Sequence, residues 1–192
     1  MKSKISKILI IVGLSLCIGS LSIKAYSKYL ETKATKNFES KIELNNKKED
    51  DFSNIKNGDE IALINIPSIK LNTVVVESIE KEYLNYYVCH FENSAMPGQN
   101  GNFSLAGHSS YVYNEVFNDL HKINLNDKII IKTLNNEFTY IVKDIIEVKP
   151  EDTFVLDQDN DKKEMTIVTC TDNGKNRLIV KAEINQDKNN DK

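Results

Sequence analysis

Residues 8–23 form a run of sixteen without a charge, Ile-Leu-Ile-Ile-Val-Gly-Leu-Ser-Leu-Cys-Ile-Gly-Ser-Leu-Ser-Ile. Lys2, Lys4 and Lys7 precede it, and Lys24 and Lys28 follow. A spanning helix takes about 20 apolar residues, with a lower limit near 17. Flanking lysines lengthen a short run, because their stems stay apolar while their ammonium groups reach water. Ile23-Lys24-Ala25 lacks a small-x-small cleavage pattern. Residues 1–30 are therefore expected to be an uncleaved membrane anchor rather than a removed leader. The N-terminal lysines predict a cytoplasmic N-terminus and an external body. Leu16 stands where a lipoprotein would carry a small residue, so Cys17 reads as an apolar residue of the span.

Residues 31–57 are polar with sparse apolar positions, which predicts a stalk. From Gly58 the texture changes. Short runs rich in Ile and Val alternate with turn residues, and they predict strands at 61–66, 71–77, 102–106, 128–132, 137–148, 165–170 and 177–184. Short helices are expected at 81–86 and 112–120. So many short strands predict an all-β sandwich or barrel over residues 58–185. The charged residues 186–192 read as a disordered tail.

Charge narrows the choice of partners. Residues 1–30 hold five lysines and no acid, and the whole chain carries −3, so residues 31–192 carry −8. An acidic body lacks the basic footprint that nucleic-acid binding needs. Three cysteines, one of them in the span, do not make a disulfide framework. No Cys-x-x-Cys or His-x-x-x-His spacing is present. Glu151, Asp152, Asp157, Asp159, Asp161 and Glu164 share one loop without an EF-hand pattern, and read as a solvated charge run. No metal or cofactor is expected.

The chain uses one arginine among its 25 basic residues, Arg177, seven positions after Cys170. A guanidinium is a planar cation with several donors, which lysine does not reproduce. Asn173-Gly174 between these residues is hairpin chemistry. A hairpin sets Cys170 and Arg177 side by side on neighbouring strands. Leu178, Val180, Ala182 and Ile184 form the core face of the last strand, so Arg177 faces outward. A nucleophilic cysteine needs a partner that stabilises thiolate and returns a proton. Of three histidines, His108 ranks first, at the exposed end of a strand after Gly107. His90 ranks second, since residues adjacent on an extended chain point to opposite faces and Cys89–His90 is a poor dyad. His121 ranks third, as a loop residue.

Thr166-Ile167-Val168-Thr169-Cys170, followed by Arg177, resembles the Thr-Leu-x-Thr-Cys signature of sortases. Asn102 to His108 is similar to the sortase strand ending in Ala-Gly-His, and Tyr87 to Phe91 with Ala95-Met96-Pro97-Gly98 is similar to the segment before it. The resemblance covers residues 59–184. It implies a closed eight-stranded β-barrel and a cysteine transpeptidase, with Cys170 as nucleophile, His108 as general acid/base and Arg177 positioning substrate and stabilising the oxyanion. Thr169 and His90 are assigned to substrate binding. The implied partners are surface proteins with a C-terminal Leu-Pro-x-Thr-Gly-like sorting signal, a cell-wall precursor amine, and the membrane. Ile167 departs from the signature leucine, Cys89 from a frequent glycine, and Ser109 from a frequent Arg or Asn. A short connection between residues 148 and 164 argues against class B, and the missing lid and C-terminal span argue against class C. Class D is favoured, with class A or E as alternatives. The rival readings are a surface cysteine peptidase that only hydrolyses and a non-catalytic anchored barrel.

Overall fold

Alternation of apolar and polar positions over short segments yields strands that each offer one face to a common interior. The computed structural model describes residues 2–44, 49–109, 116–171 and 174–184. The described residues form eight strands: β1 (Glu60–Ile66), β2 (Leu71–Glu77), β3 (Val88–His90), β4 (Gly101–Ala106), β5 (Lys128–Lys132), β6 (Glu137–Val148), β7 (Lys163–Thr171) and β8 (Asn176–Ile184). They close into a barrel in the order β1-β2-β3-β4-β7-β8-β6-β5. This is the closed eight-stranded barrel that the resemblance implies.

Two neighbouring pairs are parallel, β2 with β3 and β4 with β7. Parallel neighbours need crossover connections. Residues 78–87 supply the first, with the short helix α2 (Lys81–Leu84). The second runs from β4 to β7 and contains β5 and β6. Ile64, Ile66, Val75, Phe103, Leu105, Ile129, Ile131, Met165, Ile167 and Val180 fill the interior, each essentially without exposure.

β1 and β2 are buried on both faces, because a helix lies across them. Helix α1 (Lys2–Leu44) continues from the apolar run without a break. Its Ala34 and Phe38 cover the outer residues Leu63, Val74 and Val76, and Ile42 packs on the same cluster. The Val74 N–H donates to Thr35 Oγ1 at 3.2 Å, and the Thr35 hydroxyl donates to the Glu31 carbonyl at 2.8 Å. Asn72 Nδ2 donates to Glu39 at 3.1 Å, and Lys41 pairs with Glu60 at 2.8 Å. The expected stalk thus differs in form: residues 31–44 are helical and docked. Ala34, Phe38 and Ile42 recur every fourth position, which makes a narrow stripe rather than a broad apolar face. One stripe suffices for a helix with a single buried side.

β3 is too short to show a period in sequence, and only its similarity to the segment before β4 marked it. Residues 112–115 of the expected helix, and the expected tail at 186–192, lie outside the described residues. The rest of that helix, residues 116–119, is turn that leads into a 3-10 helix, Leu120–Lys122.

Candidate active site

Antiparallel pairing of β7 with β8 sets Cys170 directly opposite Arg177. Thr169 is buried, so Cys170, the next residue, points outward and is half-buried. Arg177, as its cross-strand partner, shares that outer face. On the other side of β7, the parallel register pairs Ala106 with Val168. The Gly107 N–H extends the ladder by donating to the Val168 carbonyl at 3.2 Å. Two residues further, this register brings His108 level with Cys170. Histidine, thiol and guanidinium therefore sit at one end of three consecutive strands.

Two hydroxyls tie the strand ends together. Thr169 Oγ1 donates to the Gly107 carbonyl at 2.8 Å. Ser109 Oγ donates to the Cys170 carbonyl. Gly107 is required at this junction, because a Cβ there would lie 2.5 Å from the Phe117 ring. His108 also accepts the Phe117 N–H on its carbonyl at 3.1 Å. Its imidazole is half-buried, and burial lowers its pKa from the ordinary 6.5.

Arg177 Nη1 donates to the carbonyls of Gly174 at 3.0 Å and Asn176 at 3.1 Å. Gly174 has φ +86°, the left-handed region that glycine adopts without penalty, and so supplies the turn. The hairpin fixes the plane of the guanidinium through one nitrogen. One step below the reactive row, the outer face is apolar. Ala106 pairs with Val168, Val168 with Ile179, and Ile179 with Ile146. The β6–β7 connection flanks this row, held where the Val155 carbonyl accepts Asn102 Nδ2 at 3.1 Å and Thr166 Oγ1 at 3.3 Å.

The two residues assigned to substrate binding lie elsewhere in the architecture. His90 is fully buried, with Nδ1 2.7 Å from Glu77 and Nε2 2.8 Å from Ser94 Oγ and 3.1 Å from the Ala95 carbonyl. It has no surface with which to meet a substrate. It pairs across strands with Leu105 and stacks on Phe103, on the interior side of the barrel. Thr169 is 3% exposed, and its hydroxyl holds the backbone ahead of His108 rather than lining the groove. His121 is exposed, with Nδ1 2.8 Å from the Asn118 carbonyl. Cys89 is fully buried, and its thiol is pushed up to about 12, mainly by burial and further by Glu77. It remains an inert thiol. Ser109 is the contact that residue-level reading missed. Its departure from a frequent Arg or Asn was visible in the sequence, but its partner, a carbonyl on another strand, was not.

A thiol, an imidazole and a guanidinium at adjacent strand ends of a closed barrel make a site suited to acyl transfer through cysteine. The Sortase domain family matches residues 64–185, more than half of the chain, so the chain belongs to the sortase family. A Clostridium perfringens sortase D5 transpeptidase of solved structure is 45% identical, with a TM-score of 0.74 over 82% of this chain and 99% of that one. Sortase A of Bacillus anthracis is 34% identical over 123 residues, 62% of this chain and 57% of that protein. Sortase D of Bacillus subtilis strain 168 is 31% identical over 114 residues, 59% of this chain and 55% of that protein. The chain thus spans little more than half the length of these two curated relatives.

Proposed function

We propose that this chain is a membrane-anchored sortase of class D type, which cleaves a Leu-Pro-x-Thr-Gly-like sorting signal after Thr and joins the protein to a cell-wall amine. The observation that carries this reading is the shared outer row of Cys170 and Arg177, with His108 brought level by the β4–β7 register. The Cys170 thiolate attacks the Thr carbonyl carbon, and its π electrons move to oxygen. Arg177 stabilises that oxyanion, the kind of interaction that often contributes most in acyl transfer. On collapse the C–N bond breaks, and His108 as imidazolium protonates the leaving amine. A thioester remains on Cys170. An incoming amine gives a proton to His108, attacks the thioester, and releases the thiolate. The half-buried Ala106, Val168 and Ile146, backed by the buried Ile179, offer an apolar seat for the leucine of the signal.

Membrane attachment rests on α1, which among the described residues is the helix long and apolar enough to cross a bilayer. The deciding experiment incubates the full chain with a sorting-peptide library, with and without an amine acceptor, and reads the products by mass spectrometry. The expected result is an acyl adduct on the Cys170 peptide and an amide product that depends on the amine. Hydrolysis that ignores every amine would favour a peptidase. An unmodified Cys170 with no turnover would favour a non-catalytic barrel.

The pH profile follows from His108. The reactive form holds one proton between Cys170 and His108. A second proton, gained as pH falls, converts it to thiol and imidazolium and removes the nucleophile. The acid limb of kcat/KM therefore reports the first ionisation of the Cys170–His108 pair, which a destabilised imidazolium lowers. Because burial disfavours the cation, that limb is expected below the ordinary imidazole value of 6.5. A limb above that value, measured on peptide cleavage, contradicts the assignment.

A further inference from the structure

The anchor and the docked helix are one element, and this fixes the height of the barrel over the bilayer. The uncharged run ends at Ile23, and Ser27 is already 4% exposed. Four residues of α-helix advance about 6 Å. The headgroup layer on each side of a bilayer is roughly 5–7 Å deep. The first part of the barrel to meet α1 therefore lies within that layer.

The residues gathered there suit it. Tyr26 meets the Tyr86 ring edge-on, with centroids 6.4 Å apart, and Tyr86 meets Tyr87 at 6.2 Å. Tyr83 and Tyr87 pack on the cluster that holds Phe38. Tyr26 and Tyr29 are each more than half exposed, and Ile79 is exposed beside α2. Five of the chain's eight tyrosines thus fall in two short segments, 26–29 and 83–87. Tyrosine collects at membrane–water interfaces, where its ring is apolar and its hydroxyl wet. Lys24, Lys28 and Lys81 are offset by Glu31, Glu80 and Glu82, so this surface carries no net positive charge to select anionic lipid. Further along α1, Glu39 meets Asn72 of β2 and Lys41 meets Glu60 of β1. The helix therefore passes from the β3 side onto β2 and β1 as it leaves the apolar run.

We propose that Tyr26, Tyr29, Ile79 and Tyr86 form a seating surface that rests in the headgroup layer of the bilayer crossed by α1, and holds the β3 side of the barrel against it. This rests on the membrane-anchored reading above. β3 is hydrogen-bonded to β4, the strand that leads into His108. The seat therefore keeps the catalytic row on the wall of the barrel next to the lipid. Recognition is by amphipathic rings rather than charge, so added salt is expected to leave the seating unchanged.

The chain contains no tryptophan, which makes single-Trp reporters clean. The full chain is reconstituted in phosphatidylcholine vesicles whose headgroups carry a nitroxide quencher, and flotation is scored alongside emission. Tyr86→Trp and, as an independent reporter on the exposed side of the helix, Tyr29→Trp are expected to be strongly quenched. Leu44→Trp, about 30 Å beyond Lys24 along the helix, is expected to keep its emission. Leu16→Trp, in vesicles brominated on the acyl chains, reports the span itself. Vesicle-bound protein in which both tyrosine-site reporters emit like Leu44→Trp overturns the seat and leaves the anchor standing. Protein that stays out of the vesicle fraction, with an unquenched Leu16→Trp, overturns the anchor and the seat with it.

Discussion

Cys170→Ala is expected to abolish acyl-enzyme formation and to lower peptide turnover by about four orders of magnitude or more. The loss is chemical rather than structural. Cys170 is half-buried on the outer face, and its backbone bonds, including the Ser109 hydroxyl on its carbonyl, do not involve sulfur. Alanine keeps the strand geometry and removes only the thiol. An unchanged melting temperature together with lost turnover is the expected pair of readings. Turnover that survives the substitution would transfer the chemistry to some other group. Cys89 is a poor replacement, because its buried thiol stays protonated at any physiological pH.

Arg177→Lys is expected to lower kcat by about a hundredfold or more, the scale found when one oxyanion donor is lost. The charge is conserved, so the experiment isolates geometry. In the structure one nitrogen of Arg177 is committed to the hairpin carbonyls of Gly174 and Asn176. The fork lets that nitrogen anchor the group while the others, under the proposed function, serve the oxyanion. A lysine has a single ammonium on a flexible stem, and must either hold the turn or serve the substrate. A loss confined to KM would assign Arg177 to peptide holding. Turnover equal to the parent would remove any role for the guanidinium.

The barrel was largely legible because its strands are short runs rich in Ile and Val set apart by turn residues. β2, β5 and β6 have the bounds that those runs predict. The pairing of Cys170 with Arg177 was also legible, since a hairpin is a local object and Asn173-Gly174 marks its turn. The docked part of α1 was hidden. Its buried stripe of Ala34, Phe38 and Ile42 is one residue wide, and the surface that makes it stable, Leu63, Val74 and Val76, belongs to strands with no sign of an outer cover. His90 was misplaced for a related reason. Glu77, on β2, and Ser94, in the loop after β3, satisfy its ring inside the barrel, and nothing in the local sequence marks those contacts. The residue-level ranking still put His108 ahead, because a strand that ends in Ala-Gly-His offers its last side chain to the rim.

The two hydroxyl ties at the strand ends restrain motion between β4 and β7. One runs from β7 to the β4 side and the other runs back, so each strand end holds the other. A drift of His108 away from Cys170 has to undo both at once, together with the Gly107 bond to Val168. The backbones that carry Cys170 and His108 therefore move as one piece. Under the proposed function, those strand ends are set as the chain folds, before any peptide arrives.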